Sequence, residues 1–209
     1  MAGNKVVRPV ENKQWSSRQQ RLKDFLPPRR YEHCLRVSEE ACLLARCHGI
    51  DEERARLAGL LHDVARDLSP DALFANAARF GLTVGPDEYA DPVILHAAVG
   101  AKLLKNEWGI NDKAVLRAVE EHTLAAPDMD KLCQIIYLAD IIEPGRREWP
   151  GLNALRKLCY EHLGRAMLLA LKESIGYLKE SRIRIHPRTL AAYDFWARQL
   201  VQEESAKKN

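Results

Sequence analysis

The sequence predicts an all-α protein folded as a single helical bundle domain. Three observations lead there. Apolar residues recur at the spacing of one helix face along nearly the whole chain, and no segment alternates in the manner of a strand. Proline and glycine stand where helices would open and stop. The 209 residues, 46% of them hydrophobic, suffice for one sizeable core, and no internal repeat or low-complexity linker divides them.

The helices follow in order. Pro27-Pro28 ends a short first helix, and a second runs from about Arg29 to His48, with Gly49 as its stop. Asp51 caps a third, whose apolar side carries Leu57, Leu60, Leu61, Val64 and Leu68. Ser69-Pro70 and Asp91-Pro92 each read as an N-cap followed by proline in the first turn, opening helices that end near Gly81 and Gly109. Asn111 is the expected cap of the next, which runs through Leu124. Another covers about Asp130–Ile142 before Pro144-Gly145, and a long one about Leu152–Ser181. His186-Pro187 opens the last, with Leu190, Tyr193, Trp196 and Leu200 on its apolar side. The stretches from Gly81 to Pro86 and from Glu143 to Gly151 read as loops.

Charge and cysteines narrow the class. The net charge of +3 is too mild to argue for binding a nucleic acid duplex. The excess is local: residues 1–30 hold eight Lys/Arg against Glu11 and Asp24. Residues 1–16 read as a basic leader, and 17–205 as the domain. Cys34, Cys42, Cys47, Cys133 and Cys159 are odd in number, lack a C-x-x-C pair and sit at apolar helix positions, which fits a reducing, cytoplasmic compartment. No apolar run reaches membrane-spanning length.

The chemistry concentrates in His33, His62, Asp63, His96, His122 and Asp140. His62-Asp63 interrupts an apolar helix-forming stretch, His96 lies within Val93-Ile-Leu-His-Ala-Ala-Val, and Asp140 within Ile135-Ile-Tyr-Leu-Ala-Asp-Ile-Ile. An ionised carboxylate in such a run needs a cation or strong donors. Imidazole and carboxylate together suit Fe, Mn, Zn or Co. Neighbours on a helix point about 100° apart, so His62 and Asp63 have different tasks. One natural arrangement has His33, His62, Asp63 and Asp140 on one metal, with Asp63 bridging to a second held by His96 and His122. Such a pair can clamp the oxygens of a phosphate. Taken singly, each histidine could equally be a satisfied core residue, and His48 and His162 are read that way.

At these residues the chain resembles the HD superfamily of metal-dependent phosphohydrolases. The ordered pattern H…HD…D matches His33, His62-Asp63 and Asp140. Within the superfamily it is most similar to the bacterial YqeK-type diadenosine tetraphosphate hydrolases, from about Arg30 to Leu200. The likeness is carried by Tyr31-Glu-His-Cys-Leu-Arg-Val, Leu60-Leu-His-Asp-Val-Ala-Arg, Leu95-His-Ala, Glu121-His-Thr, Ile136-Tyr-Leu-Ala-Asp-Ile-Ile-Glu-Pro and Ile185-His-Pro-Arg-Thr.

The resemblance implies a divalent metal, iron first, as one or two ions, and a dinucleoside polyphosphate substrate cut symmetrically to ADP. It implies that His33, His62, Asp63 and Asp140 are the main ligands. His96 and His122 would serve a second metal or contact the phosphates. It assigns catalysis to Asp63 and Arg66, substrate contact to Arg30, and the nucleotide pocket to Arg146 and to Arg182, Ile183, Arg184, Ile185, His186 and Pro187. Guanidinium groups match phosphate oxygens, so the carry-over is physically coherent.

The chain departs from the family pattern in places. Arg66 replaces a usual lysine, which favours an electrostatic clamp over a proton donor. Leu124-Ala125-Ala126 replaces a usual Gly-Arg pair. The Glu143–Gly151 loop carries an extra residue, which leaves Arg146 and Arg147 both eligible as the phosphate contact. Three other readings stay open: another HD nucleotide phosphohydrolase or phosphodiesterase, a di-iron HD oxygenase, and a non-catalytic nucleotide-binding module. So does the oligomeric state, a homodimer included.

Overall fold

The computed structural model describes residues 13–206. Among them the regular structure is helical throughout, with no strand. Eleven α-helices are described: α1 (Lys13–Phe25), α2 (Pro28–His48), α3 (Glu52–Leu61), α4 (Pro70–Arg79), α5 (Pro86–Ala90), α6 (His96–Glu107), α7 (Lys113–Glu121), α8 (Lys131–Ile142), α9 (Leu152–Glu161), α10 (Leu163–Glu180) and α11 (Pro187–Ala206). One turn of 3-10 helix, Pro92–Leu95, leads into α6. The all-α expectation holds. Of the leader, residues 1–12 lie outside the described residues, while Lys13–Ser16 form the first turn of α1.

Helices α2, α3, α7 and α8 pack on one another at the centre, and α6 leans on α7. The closest approach is between α2 and α3. A Cβ on Gly59 would sit 2.9 Å from Ser38 Cα and 3.0 Å from the Val37 carbonyl, both rigid backbone. Only glycine lets the two helices meet so closely. Ser38 Oγ adds a bond to the Arg56 carbonyl at 2.8 Å. Helix α8 is buried along nearly its whole length, from Leu132 to Ile142. That explains its continuous apolar sequence.

Several boundaries differ from the sequence reading, each for a local reason. Helix α3 stops at Leu61, and residues 62–67 continue as successive turns. The His62 ring donates to the Gly59 carbonyl at 2.8 Å, competing for an acceptor that a continuing helix would offer to residue 63. Helix α7 likewise ends at Glu121 rather than Leu124, where His122 bonds back to the Val119 carbonyl. Its cap is Asp112, not Asn111: the Asp112 carboxylate accepts from the amides of Ala114 and Val115. The expected long helix breaks at His162, whose extended backbone and ring cap the start of α10. Pro86 opens the short α5 immediately after the Gly81–Pro86 loop, and Glu88 accepts from the Gly85 amide at 2.8 Å. Cys47 is exposed, while the other four cysteines are buried and all five are free thiols.

Candidate metal centre

Six side chains from five parts of the chain converge between α2, α3, α6, α7 and α8. His33 comes from mid-α2 and Asp140 from near the end of α8. His62 and His122 stand at the C-caps of α3 and α7, and His96 is the first residue of α6. His33, His62, Asp63, His96 and His122 are all buried. His62 keeps helical backbone angles (φ −55°, ψ −39°) as the C-cap of α3, and the side chains of His62 and Asp63 both reach the cluster, with His62 Nε2 and Asp63 Oδ2 3.5 Å apart.

Asp63 sits between two groups. Its Oδ2 lies 3.7 Å from His33 Nε2 and 3.5 Å from His62 Nε2. Its Oδ1 lies 3.3 Å from His96 Nε2 and 3.4 Å from His122 Nε2. Asp140 joins the first group, with Oδ1 3.0 Å from His33 Nε2 and 3.7 Å from His62 Nε2. The ligand atoms of His33, His62 and Asp140 fall within 4.8 Å of one another, and so do those of His62, Asp63 and His122.

The outer hydrogen bonds fix which nitrogen of each ring faces inward. His62, His96 and His122 each place Nδ1 on the carbonyl three residues earlier, of Gly59, Val93 and Val119, at 2.8, 2.5 and 2.6 Å. A carbonyl can only accept, so each Nδ1 carries a proton and each Nε2 is the ring atom turned toward the centre. The carbonyls of Gly59 and Val119 lie in the last turns of α3 and α7, where a helix leaves carbonyls short of amide partners, whereas that of Val93 also accepts from the His96 amide. His33, in mid-helix, uses the Glu143 carboxylate instead, at 3.1 Å. The inward Nε2 atoms of His33 and His62 are buried without a hydrogen-bond partner. Those of His96 and His122 approach to 3.1 Å. Thr123 Oγ1 lies 3.1 and 3.2 Å from the same two atoms, and its one proton can serve only one. A divalent cation resolves these contacts, and the donor set of imidazoles and carboxylates fits one.

Electrostatics point the same way. Burial opposes charge on Asp63, but His62, His122 and His96 outweigh it and hold its carboxyl well below the usual range. Burial likewise opposes charge on Asp140, outweighed by His33, His62 and Arg146. Burial lowers His96 below the ordinary imidazole value despite Asp63. The centre therefore offers ionised carboxylates and, at His96, a neutral ring.

The arginines gather in a cleft beside this centre, which His33 also lines. A cleft of about 570 Å³ is lined by Arg29, Arg30, Arg36, Arg66, Arg146 and Arg147 together with His33, Asp67 and Glu143. Arg30 holds Asp63 Oδ2 at 2.8 Å and Asp67 Oδ2 at 3.0 Å. Arg146 bonds to the carbonyl of Asp140 at 2.6 Å and to its carboxylate. Arg147 lines the cleft as well, so both arginines of the loop reach it. A second pocket, of about 440 Å³, has apolar walls that include Val93, Ile94, Leu124, Tyr137 and Leu178, with Thr123 at its edge. From the expected nucleotide segment, Ile183, Arg184 and His186 line it, whereas Arg182, Ile185 and Pro187 do not. Arg184 pairs there with Asp87 at 2.7 Å, and His186 Nε2 lies 3.4 Å from Glu88. The histidines read as core residues are satisfied: His48 bonds to the Cys159 carbonyl at 2.7 Å, and His162 accepts from the Arg165 amide.

Glu143 escaped the sequence reading. It is 1% exposed and accepts from Arg36 Nε at 2.6 Å and from the Gly145 amide at 2.5 Å, besides orienting His33. Its signal was the same as that of Asp140, an acid at the end of an apolar run. Thr123, Tyr137 and Arg36 were missed too, because nothing local distinguishes them from ordinary helix residues.

The HD domain family matches residues 30–145, a span that begins at Arg30 and contains all six converging side chains. The chain belongs to the HD domain family. Its relatives among characterised and named proteins extend the likeness over most of its length. It is 35% identical over 84% of this chain to a protein of Halalkalibacterium halodurans named symmetrical bis(5'-nucleosyl)-tetraphosphatase, covering 92% of that protein. A Bacillus subtilis protein of the same name is 32% identical over 83% of this chain and 92% of its own. A Mycoplasma genitalium protein named probable nicotinate-nucleotide adenylyltransferase/Ap4A hydrolase is 38% identical over 76% of this chain, which spans only 46% of that longer protein. Among solved structures, an HD superfamily hydrolase from Clostridium acetobutylicum, described as involved in NAD metabolism, superposes with a TM-score of 0.85. It is 34% identical and covers 88% of this HD-domain protein and 97% of its own chain.

Proposed function

We propose that this protein is a metal-dependent hydrolase that cuts dinucleoside tetraphosphates, diadenosine tetraphosphate foremost, at the central phosphoanhydride to give two nucleoside diphosphates. One observation carries the reading: a carboxylate, Asp63, faces two imidazole groups at once beside an arginine-lined cleft, to which its neighbour His33 and its ion-pair partner Arg30 belong. The names of the full-length relatives support the substrate.

His33, His62, Asp63 and Asp140 would hold one divalent ion, and His96 and His122, with Asp63 beside them, would hold a second. Iron is our choice for this mixed donor set, with Mn, Co or Zn as substitutes. When bound, such an ion acidifies water and polarises phosphoryl oxygens. The residues do the rest. Arg66 lines the cleft and, among the described residues, has no carboxylate partner, so its guanidinium is free to meet charge that grows on the transferring phosphoryl group. Arg30, which lines the cleft and pairs with Asp63 and Asp67, would contact the polyphosphate. Arg146 and Arg147 fix which phosphate stands over Asp63. The apolar pocket beside Thr123 takes a nucleoside, with Ile183, Arg184 and His186 along one wall. Among the described residues no helix is long and apolar enough to cross a membrane. Five free thiols fit our placement of the enzyme in the cytoplasm.

Separation of the products from diadenosine tetraphosphate tests the reading. Metal-replete protein should release ADP alone, and chelation should abolish the release. ATP with AMP, or turnover that survives chelation, contradicts it.

A further inference from the structure

Among the described residues a further pocket, of about 720 Å³, is larger than the arginine cleft of 570 Å³ or the apolar pocket of 440 Å³, and the roles given so far do not use it. Trp149 and Tyr177 supply its aromatic surface, and Glu148, Glu173 and Glu180 outnumber the single cation Arg147 among its charges. It shares Arg147 with the arginine cleft and Ser174 with the apolar pocket. Tyr177 is 65% exposed, a large aromatic side chain left to solvent. Trp149 is held in place by its loop. A Cβ on Gly151 would lie 3.0 Å from the Trp149 ring, and Gly151 has φ +104°, a conformation that other residues rarely adopt. The backbone thus makes room for the indole at the pocket's edge.

We propose that this pocket binds the second nucleoside of the dinucleoside substrate, with its base against Trp149 and Tyr177. The proposal rests on the reading of the chain as a dinucleoside tetraphosphate hydrolase. A bridge cut at its centre carries a nucleoside at each end, and one apolar pocket receives only one of them. The charges divide the work. Arginines line the cleft for the phosphates, whereas carboxylates line this pocket and disfavour phosphate there. Carboxylates accept from ribose hydroxyls and from the amino groups of bases. Arg147 lies at the junction, where the bridge passes from one region to the other. Stacking on aromatic faces tolerates any base, so this end of the substrate is recognised with little base preference.

The test compares diadenosine tetraphosphate with adenosine 5'-tetraphosphate, which has the same phosphates and one nucleoside. Trp149→Ala and Tyr177→Ala should each raise KM for the dinucleotide about 10- to 100-fold and leave the mononucleotide unchanged. Tyr177→Phe should restore the wild-type value, because the ring is kept. Equal losses on both substrates would mean that the aromatics only support the fold, and unchanged KM in both alanine variants would mean that the pocket is not used. Either result overturns the proposal and leaves the activity intact. A wild-type enzyme that does not cut diadenosine tetraphosphate would overturn the activity itself, and this assignment with it.

Discussion

The two halves of the centre are built differently, although Asp63 serves both. The half around His33 and His62 has a second carboxylate, Asp140, and one of its rings is oriented by a buried acid, Glu143. The half around His96 and His122 has no acid of its own besides the shared Asp63 oxygen, and both rings are oriented by backbone carbonyls. More negative charge favours a divalent cation in the first half. Anchoring by backbone makes the second half insensitive to changes in neighbouring side chains. On our proposal the first half is therefore the tighter and more tunable site, and the second the weaker one, placed beside Thr123 and the apolar pocket.

Asp63→Asn should break both halves at once. We expect turnover to fall about 10³-fold or more, with loss of bound metal at each half, measured by kinetics alongside metal analysis. Loss at one half alone would separate what the shared carboxylate is held to join. Arg66→Ala should cost about 10²-fold in kcat while metal content stays at the wild-type level, because the guanidinium faces the cleft rather than the ligands. Glu143→Gln should weaken metal binding about 10- to 100-fold in the His33 half only, since no other ring depends on it.

This contrast was only half visible in the sequence. Asp140 announced itself as an acid in an apolar run, and His62-Asp63 as a polar pair in a helix-forming stretch. The sequence also leads one to expect Asp63 between two groups of ligands, and its two oxygens do lie near different pairs of imidazoles. The early end of α3 at Leu61 was not, because it depends on the ring of His62 competing for the Gly59 carbonyl. Glu143 was passed over because Pro144-Gly145 marks its surroundings as a loop, and only the packed structure returns its carboxylate to His33. Asp112 and Asn111 are both good caps, and one residue of register decided between them. The break at His162 was unreadable because an apolar pattern continues through it, and only the packed structure reveals a ring serving as a cap.

Two smaller effects probe the scaffolds of the halves. Gly59→Ala forces a Cβ against the backbone of α2 beneath the His33 half and should cost about 1–3 kcal/mol in denaturant unfolding. A neutral result would mean that the helices can separate freely. Asp112 caps α7, which carries His122, and Asp112→Ala should cost about 1 kcal/mol near neutral pH. Burial works against ionisation of Asp112, but Arg54 and the amides of Val115 and Ala114 outweigh it and lower its carboxyl below the ordinary value. A lowered folded-state value stabilises above the unfolded carboxylate pKa, about 3.9. That contribution is lost as pH falls through the folded value. The stability gap between wild type and variant should therefore be full at neutral pH and shrink in acid below about pH 4. A gap that widens there contradicts the capping role.

Metal titration of the chelated protein by calorimetry tests the unequal, shared centre most directly. Wild type should show a tight and a weaker binding event. His122→Ala should lose the weaker event and keep the tight one, while His33→Ala should weaken the tight one. A single event that His122→Ala leaves untouched would contradict two halves joined at Asp63.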